Sequence, residues 1–303
     1  MSDSSLIYFN LKIKKMSKKN IKNIYEGVTP ESEISALRQG NTHHLVAMKF
    51  ISMIDPLNIF GKTLIDVGCG PNPMFSLFAL SAGCSKYVAI DRANVLEKIK
   101  NFYKRMLESN YFTSKIKFNS TDNLSGEIIK NIECGDNFDN IICHMQMLLM
   151  HIQNKNIRKD IIKAILLKGK VNLFTETNWA SFDLNYSNGV LKDLKNAFKD
   201  LLSALGINRD YHLFEEIYEV IMENKFSITA LEIPITISNK EADIECWREL
   251  VFLIERGKDI LSKSKNPENT DLIGRLENIQ ERLFQEEPFI LRPIFSSVVT
   301  TTF

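Results

Sequence analysis

From Lys62 onward, short apolar runs alternate with longer stretches of helical period, the pattern of an open α/β sheet. The apolar runs place strands at Thr63–Val67, at Tyr87–Ile90 closed by Asp91, near Lys115–Asn119, at Phe138–Met145 and at Lys170–Thr177. "FSITALEIPITI" reads as a sixth strand and "PIFSSVVTTTF" as a seventh at the far end of the sequence. Helical periods fall between the strands in "MFSLFALSAG" and "NVLEKIKNFYKRML", and again at roughly 188–205 and 211–224. Ahead of the sheet, Thr29 caps a helix whose first turn holds Pro30, Glu31 and Glu33, and which Gly40 ends. A second helix starts at Asn41 or Thr42 and runs to Pro56.

This pattern divides the chain into a basic arm over 1–28, N-terminal lid helices over 29–56 and a core sheet over 62–237. An amphipathic helical insertion follows over 238–290, broken at Asn266-Pro267, and the final strand fills 291–303. Composition changes this picture little. The 303 residues are 44% hydrophobic and 25% charged, as expected of a soluble domain with a sizeable core. A formal net charge of +1 gives no general attraction to nucleic acid or membrane. Cys69, Cys84, Cys134, Cys143 and Cys246 are odd in number and lack CxxC spacing, which argues against a disulfide framework or a cysteine zinc site. A reducing cytoplasm is the expected setting. No apolar run approaches the roughly 20 residues needed to span a bilayer, and the apolar stretch near Met1 is too short for a signal peptide.

Candidate chemistry begins where the first strand breaks into "DVGCGPNP". Gly68 and Gly70 let a ligand approach main-chain atoms that a Cβ would block. Asp91 closes the next strand about twenty residues on, where a carboxylate can accept hydrogen bonds from a ribose diol. Dinucleotide enzymes share this logic, but they use G-x-G-x-x-G. Here Pro71 and Pro73 follow Gly70 and lack the N–H donors that a pyrophosphate needs. Asp66, two residues before Gly68, suits a cationic ligand better than an anionic one. A glycine turn with an acid beside it and a ribose-binding acid beyond describes a pocket for S-adenosylmethionine.

"LIDVGCGPNP" together with "YVAID" resembles the first two motifs of class I S-adenosylmethionine-dependent methyltransferases, over roughly 40–237 and the final strand. The resemblance implies a Rossmann-like seven-stranded sheet with an antiparallel last strand. It implies cofactor contacts from Gly68, Cys69, Gly70, Asp91 and Arg92, with Asp66 nearby, Thr121 and Asp122 by the adenine, and His144 and Met145 at the end of the fourth strand. Several local patterns further resemble the histamine N-methyltransferase-like group of small-molecule enzymes. "FDNIICHMQML" maps a substrate-binding glutamine onto Gln146, "ALRQGNTHHLVAMKFI" places His43 and His44 at the amine-binding segment, and "TETNWASF" puts Trp179 near the pocket. Arg292-Pro293 stands where that group has an asparagine pair, and His43 stands where it has a carboxylate.

These departures steer the acceptor away from histamine and toward a small amine, imidazole, amino acid or phenol. Met145, Met147 and Met150 also read as packing residues. Gln146, an amide in an apolar run, needs a partner if buried, supplied either by substrate or by the fold. Trp179 and Arg292 carry the same two readings, pocket wall or structural residue. A neutral amine nucleophile needs only alignment, whereas an oxygen acid needs a base, for which His43, His44 and His144 are the candidates. Tyr25 joins the lid. His144 and His151 can share a helix face, but with no third ligand no metal is expected. Two alternatives remain. One is RNA methylation using the lysine-rich residues 12–22, although "CHMQ" replaces the D/N-P-P-Y/F tetrapeptide of base-amino methylases; the other is a cofactor-binding pseudo-enzyme.

Overall fold

The computed structural model describes residues 59–71, 74–106, 114–146, 148–178, 189–204, 213–234, 237–238, 254–255, 257–259, 261–262, 267–285, 290–291 and 294–301. Tyr25, His43, His44, Trp179 and Arg292, with the basic arm and the helices expected over 29–56, lie outside the described residues.

β1 (Thr63–Val67) is buried along its whole length, as befits a parallel strand covered on both faces. It pairs in parallel with β2 (Lys86–Asp91) and with β4 (Ile141–Gln146). β3 (Ile116–Ser120) adds beyond β2, and β5 (Val171–Asn178) beyond β4, both parallel. β9 (Ile294–Thr301) pairs antiparallel with both β5 and β6 (Ser227–Pro234), giving the order β3-β2-β1-β4-β5-β9-β6. A separate ladder joins β7 (Ile237–Ser238) to β8 (Ile290–Leu291).

Alternation along the strands builds two cores. Leu64, Tyr87, Ala89, Ile142 and Leu173 face helix α1 (Met74–Ser81), which contributes Phe75, Ala79 and Leu80. Beside it, Ile99, Phe102 and Tyr103 of α2 (Ala93–Met106) cover Ile116 and Phe118. On the other face, Ile65, Val88, Ile90, Cys143, Met145 and Phe174 pack with Ile161, Ile162 and Ile165 of α4 (Lys155–Lys168) and Ile217 and Ile221 of α6 (Leu213–Glu223). Short α3 (Gly126–Lys130) is capped by the Ser125 hydroxyl. Asn154 caps α4 by accepting from the N–H groups of Asn156 and Ile157. α7 (Pro267–Gln285) lies along α5 (Gly189–Ala204), tied by Arg275–Asp200 and Arg282–Asp193 contacts of 2.7 Å.

Two expectations need correction. The fourth strand starts at Ile141, not Phe138, because Phe138–Asn140 forms a 3-10 turn; Asp and Asn favour such local turns. The sixth run is not one strand: β6 stops at Pro234, which has no N–H to donate, and Ile237–Ser238 pairs elsewhere. No helix among the described residues is long and apolar enough to cross a membrane.

Candidate functional site

The register sets Val67 opposite Ile90, so the turn leaving β1 and the acid closing β2 emerge side by side at the carboxyl edge. The N–H groups of Gly68 and Cys69 both donate to the Ile90 carbonyl, at 2.8 and 3.2 Å. Gly68 and Gly70 have φ of +72° and +63°, left-handed values that side chains resist. Their surroundings differ. A Cβ on Gly68 would lie 2.7 Å from a methyl of Leu148, whereas one on Gly70 would meet no described atom within 4 Å. Among the described residues, nothing covers the second glycine.

Asp91 lies beside that glycine. Its carboxylate accepts from the Gly70 N–H at 2.8 Å and from the Arg92 N–H at 2.7 Å. Burial raises its pKa, and the two N–H groups and the Arg92 guanidinium pull it back. A carboxylate has about four acceptor positions, so two remain for a ligand. The Asp91 carbonyl accepts from the Thr121 N–H at 2.9 Å, which brings the turn after β3 to the same edge. Thr121 Oγ1 accepts from the Asn123 N–H, and the Asp122 side chain is exposed.

Beneath the turn the structure redirects three expected site residues. Asp66, 3% exposed, does not face the open edge. Its carboxyl oxygens accept from the Tyr87 hydroxyl and bond His144 Nδ1 at 2.7 Å, so its partners lie inside the core. His144, 2% exposed, stacks on Phe75 with ring centroids 3.9 Å apart. A ring so enclosed is not placed to take a proton from an acceptor; it positions α1 against the sheet. Met145 is fully buried, leaving only its main chain for a ligand. Cys69, between the glycines, is a neutral thiol: burial, then Asp66 and Asp91, hold its pKa well above the usual value.

Gln146 is the last residue of β4, half-buried and in register with Thr175. The segment after it is tied down from two sides. Glu176, 1% exposed, accepts from the Leu149 N–H at 2.9 Å. The Leu148 N–H reaches the same carboxyl group. Arg158, at the start of α4, donates to the carbonyls of Ile152 and Gln153 at 2.7 and 3.0 Å. Its other nitrogens form a two-bond pair with Glu216 of α6, each at 2.7 Å. The sequence did not announce these residues. Glu176 lies in "TETN", where alternating polar side chains read as a strand end, and a backbone partner leaves no sequence signal.

Among the described residues, no group of three or more His, Cys, Asp or Glu side chains could hold a metal ion. A cavity of about 450 Å³, lined in part by Ile132, Phe138, Ile141 and Lys168, lies at the amino end of β4. That is the edge opposite Asp91, so it belongs to different chemistry.

No protein-family model matches the chain, and no curated protein sequence does. Solved structures do match in fold. A cyclopropane-fatty-acyl-phospholipid synthase-like protein from Lactobacillus casei aligns over 94% of this chain and all 100% of its own, at 14% identity and a TM-score of 0.52. The methyltransferase domain of bacterial CtHen1 aligns over 88% of this chain and 100% of its own, at 12% identity and a TM-score of 0.49. A geranyl diphosphate methyltransferase in complex with S-adenosylmethionine aligns over 85% and 84%, at 10% identity and a TM-score of 0.45. The likeness to the Lactobacillus casei protein shows an α/β Rossmann-like fold, and the described sheet carries five parallel strands, β3-β2-β1-β4-β5.

Proposed function

We propose that the protein is an S-adenosylmethionine-dependent methyltransferase that methylates a nitrogen, or an oxygen, of a small polar molecule by direct displacement. The observation that carries this reading is the Gly70–Asp91 edge: bare main chain that no described atom covers, beside a half-buried carboxylate with unused acceptor capacity. These residues fit an adenosine. Asp91 would accept from the ribose diol, the turn at Gly68, Cys69 and Gly70 would lie against the methionine part, and Thr121 would border the base. The bound cofactor supplies an activated methyl group.

What remains for the chain is alignment. Gln146, at the mouth of β4, would orient the acceptor through its amide, and the half-buried position lets a bound ligand complete its hydrogen bonding. Buried His144 offers no base here, which favours a neutral amine nucleophile that needs only to arrive unprotonated. His43 and His44 are the remaining candidates for a base, and Tyr25, Trp179 and Arg292 for the acceptor's walls. Fixing nucleophile and methyl carbon in line is worth roughly 7–11 kcal/mol in favourable cases. The histamine N-methyltransferase-like resemblance supports an enclosed small-molecule site; Arg292 and His43 turn the choice toward an acceptor carrying a carboxylate, an imidazole or a phenol.

A turnover screen across amines, amino acids, imidazoles and phenols tests the reading. Gln146→Ala is expected to weaken the best acceptor about fivefold or more in kcat/KM, with S-adenosylhomocysteine affinity changed less than about twofold, since one lost hydrogen bond is worth roughly 1 kcal/mol or more. Equal loss of both would remove the glutamine from the acceptor site. Gly70→Ala probes the other side. Left-handed φ costs about 1–2 kcal/mol, a modest loss of stability. The new methyl would also project where no described atom stands, so S-adenosylhomocysteine affinity should fall at least tenfold, as read by calorimetry.

A further inference from the structure

Glu176 is a buried acid that the mechanism above does not use. It sits near the carboxyl end of β5, next to Thr175, which pairs with Gln146. It receives the N–H groups of Leu148 and Leu149. Leu148 in turn packs its methyl groups against the backbone of Gly68, so closely that a Cβ there would force the leucine to shift. From the other end, Arg158 holds the carbonyls of Ile152 and Gln153 and is itself fixed by Glu216. The segment joining β4 to α4 is therefore gripped at its N–H groups by one buried carboxyl and at its carbonyls by one buried guanidinium.

We infer that Glu176 is a positioning residue: by holding Leu148 and Leu149 it seats Leu148 on Gly68, fixes the direction in which the chain leaves Gln146, and so sets how well the glycine turn holds its ligand. The link to the ligand rests on the cofactor reading proposed above; the grip on the backbone does not. Loosening Glu176 frees Leu148, and Gly68 then loses the side chain that fills the space beside it.

The grip is also sensitive to pH, with a definite sign. Burial lifts the Glu176 pKa from 4.5 to about 8, partly opposed by the two N–H groups and by Arg158. Beside it, Arg158 of α4 is paired with Glu216 of α6, and Lys155 of α4 lies 3.7 Å from Glu216. Of these, Arg158 acts on Glu176 directly. The closed segment keeps the proton up to about pH 8 and an opened one releases it near 4.5, so opening becomes easier as pH rises through that window.

Amide exchange at Leu148 and Leu149, measured with S-adenosylhomocysteine affinity on the same full-length samples, tests this. In the wild type, protection of these amides should fall about tenfold or more between pH 6 and pH 8.5, and affinity about threefold or more. Glu176→Gln keeps a carbonyl acceptor and removes the titration, so both readings should stay flat within about twofold. Glu176→Ala should lose protection about tenfold at every pH and bind the ligand about tenfold less tightly; if that variant does not fold, the glutamine variant decides. Identical pH profiles in wild type and Glu176→Gln, or unchanged protection and affinity in Glu176→Ala, would overturn the inference. A wild type that binds no S-adenosylhomocysteine would sink the cofactor reading instead, while exchange at the two amides would still decide the grip.

Discussion

Asp91→Ala is expected to weaken S-adenosylhomocysteine about a hundredfold, with the melting temperature level or slightly raised. The carboxylate uses one oxygen for each of two backbone N–H groups and keeps acceptor capacity toward the open edge. Two ribose hydroxyls donating to it would each contribute roughly 1.5–3 kcal/mol, and a hundredfold corresponds to about 2.7 kcal/mol. Affinity should therefore collapse. Stability follows a different rule. Burial holds the Asp91 pKa above its ordinary value, so the ionised group at neutral pH opposes folding, and alanine relieves that strain. The Gly70 and Arg92 N–H groups freed by the change lie at the edge of the sheet, where water can take them. Asp91→Asn, keeping one acceptor oxygen, should fall between, near tenfold. Calorimetric titration and a thermal melt together check it: loss of affinity without loss of stability marks a ligand-facing carboxylate, whereas matched losses would make Asp91 a structural acid.

Arg158→Met should produce the largest loss of stability, about 3–5 kcal/mol. Arg158 and Glu216 are each 1% exposed and joined by two bonds of 2.7 Å. Removing one partner leaves a buried charge unmatched, the costly way to break such a pair. Lys155 also approaches Glu216, at 3.7 Å, but it is half exposed and cannot replace a two-bond guanidinium. The carbonyls of Ile152 and Gln153 lose their donor as well. For a chain of this size the melting temperature should drop by roughly 5–10 °C. The double variant Arg158→Met, Glu216→Leu should recover most of it, because an apolar pair of similar volume can replace a buried ion pair with little penalty. Thermal melts of both variants decide this; a single variant that melts like the wild type would show that the pair contributes nothing. The exposed Arg275–Asp200 and Arg282–Asp193 contacts fall under the opposite rule, worth roughly 0–1 kcal/mol each.

The parallel strands were legible because each is a short apolar run bounded by turn residues. Thr63–Val67 stands where its pattern put it, and β2, β3 and β5 lie within a residue or so of their expected bounds. β4 was misjudged at its start because Phe138 and Ile141 look alike to an apolar scan, while the Asp139-Asn140 turn between them depends on local hydrogen bonding. At the site, a glycine turn and an acid one strand later are local signals, each readable without knowing what packs on it. The inward turn of Asp66 was not readable. It depends on His144 standing opposite Asp66 on β4 and on Tyr87, two residues off register on β2, reaching the same carboxylate, which only the assembled sheet provides. Glu176 was hidden for the same reason, since its partners are main-chain groups that any sequence would offer. Tyr25, His43, His44, Trp179 and Arg292 stay expectations drawn from resemblance.

The central claim is that the edge formed by Gly68, Gly70 and Asp91 takes an adenosine bearing a sulfonium side chain. Calorimetric titration of the wild-type protein with S-adenosylhomocysteine and, in parallel, with NAD tests it most directly. The account predicts saturable one-site binding of the first, abolished or strongly weakened in Asp91→Ala, and no heat from the second; binding of NAD alone, or of neither, would contradict it.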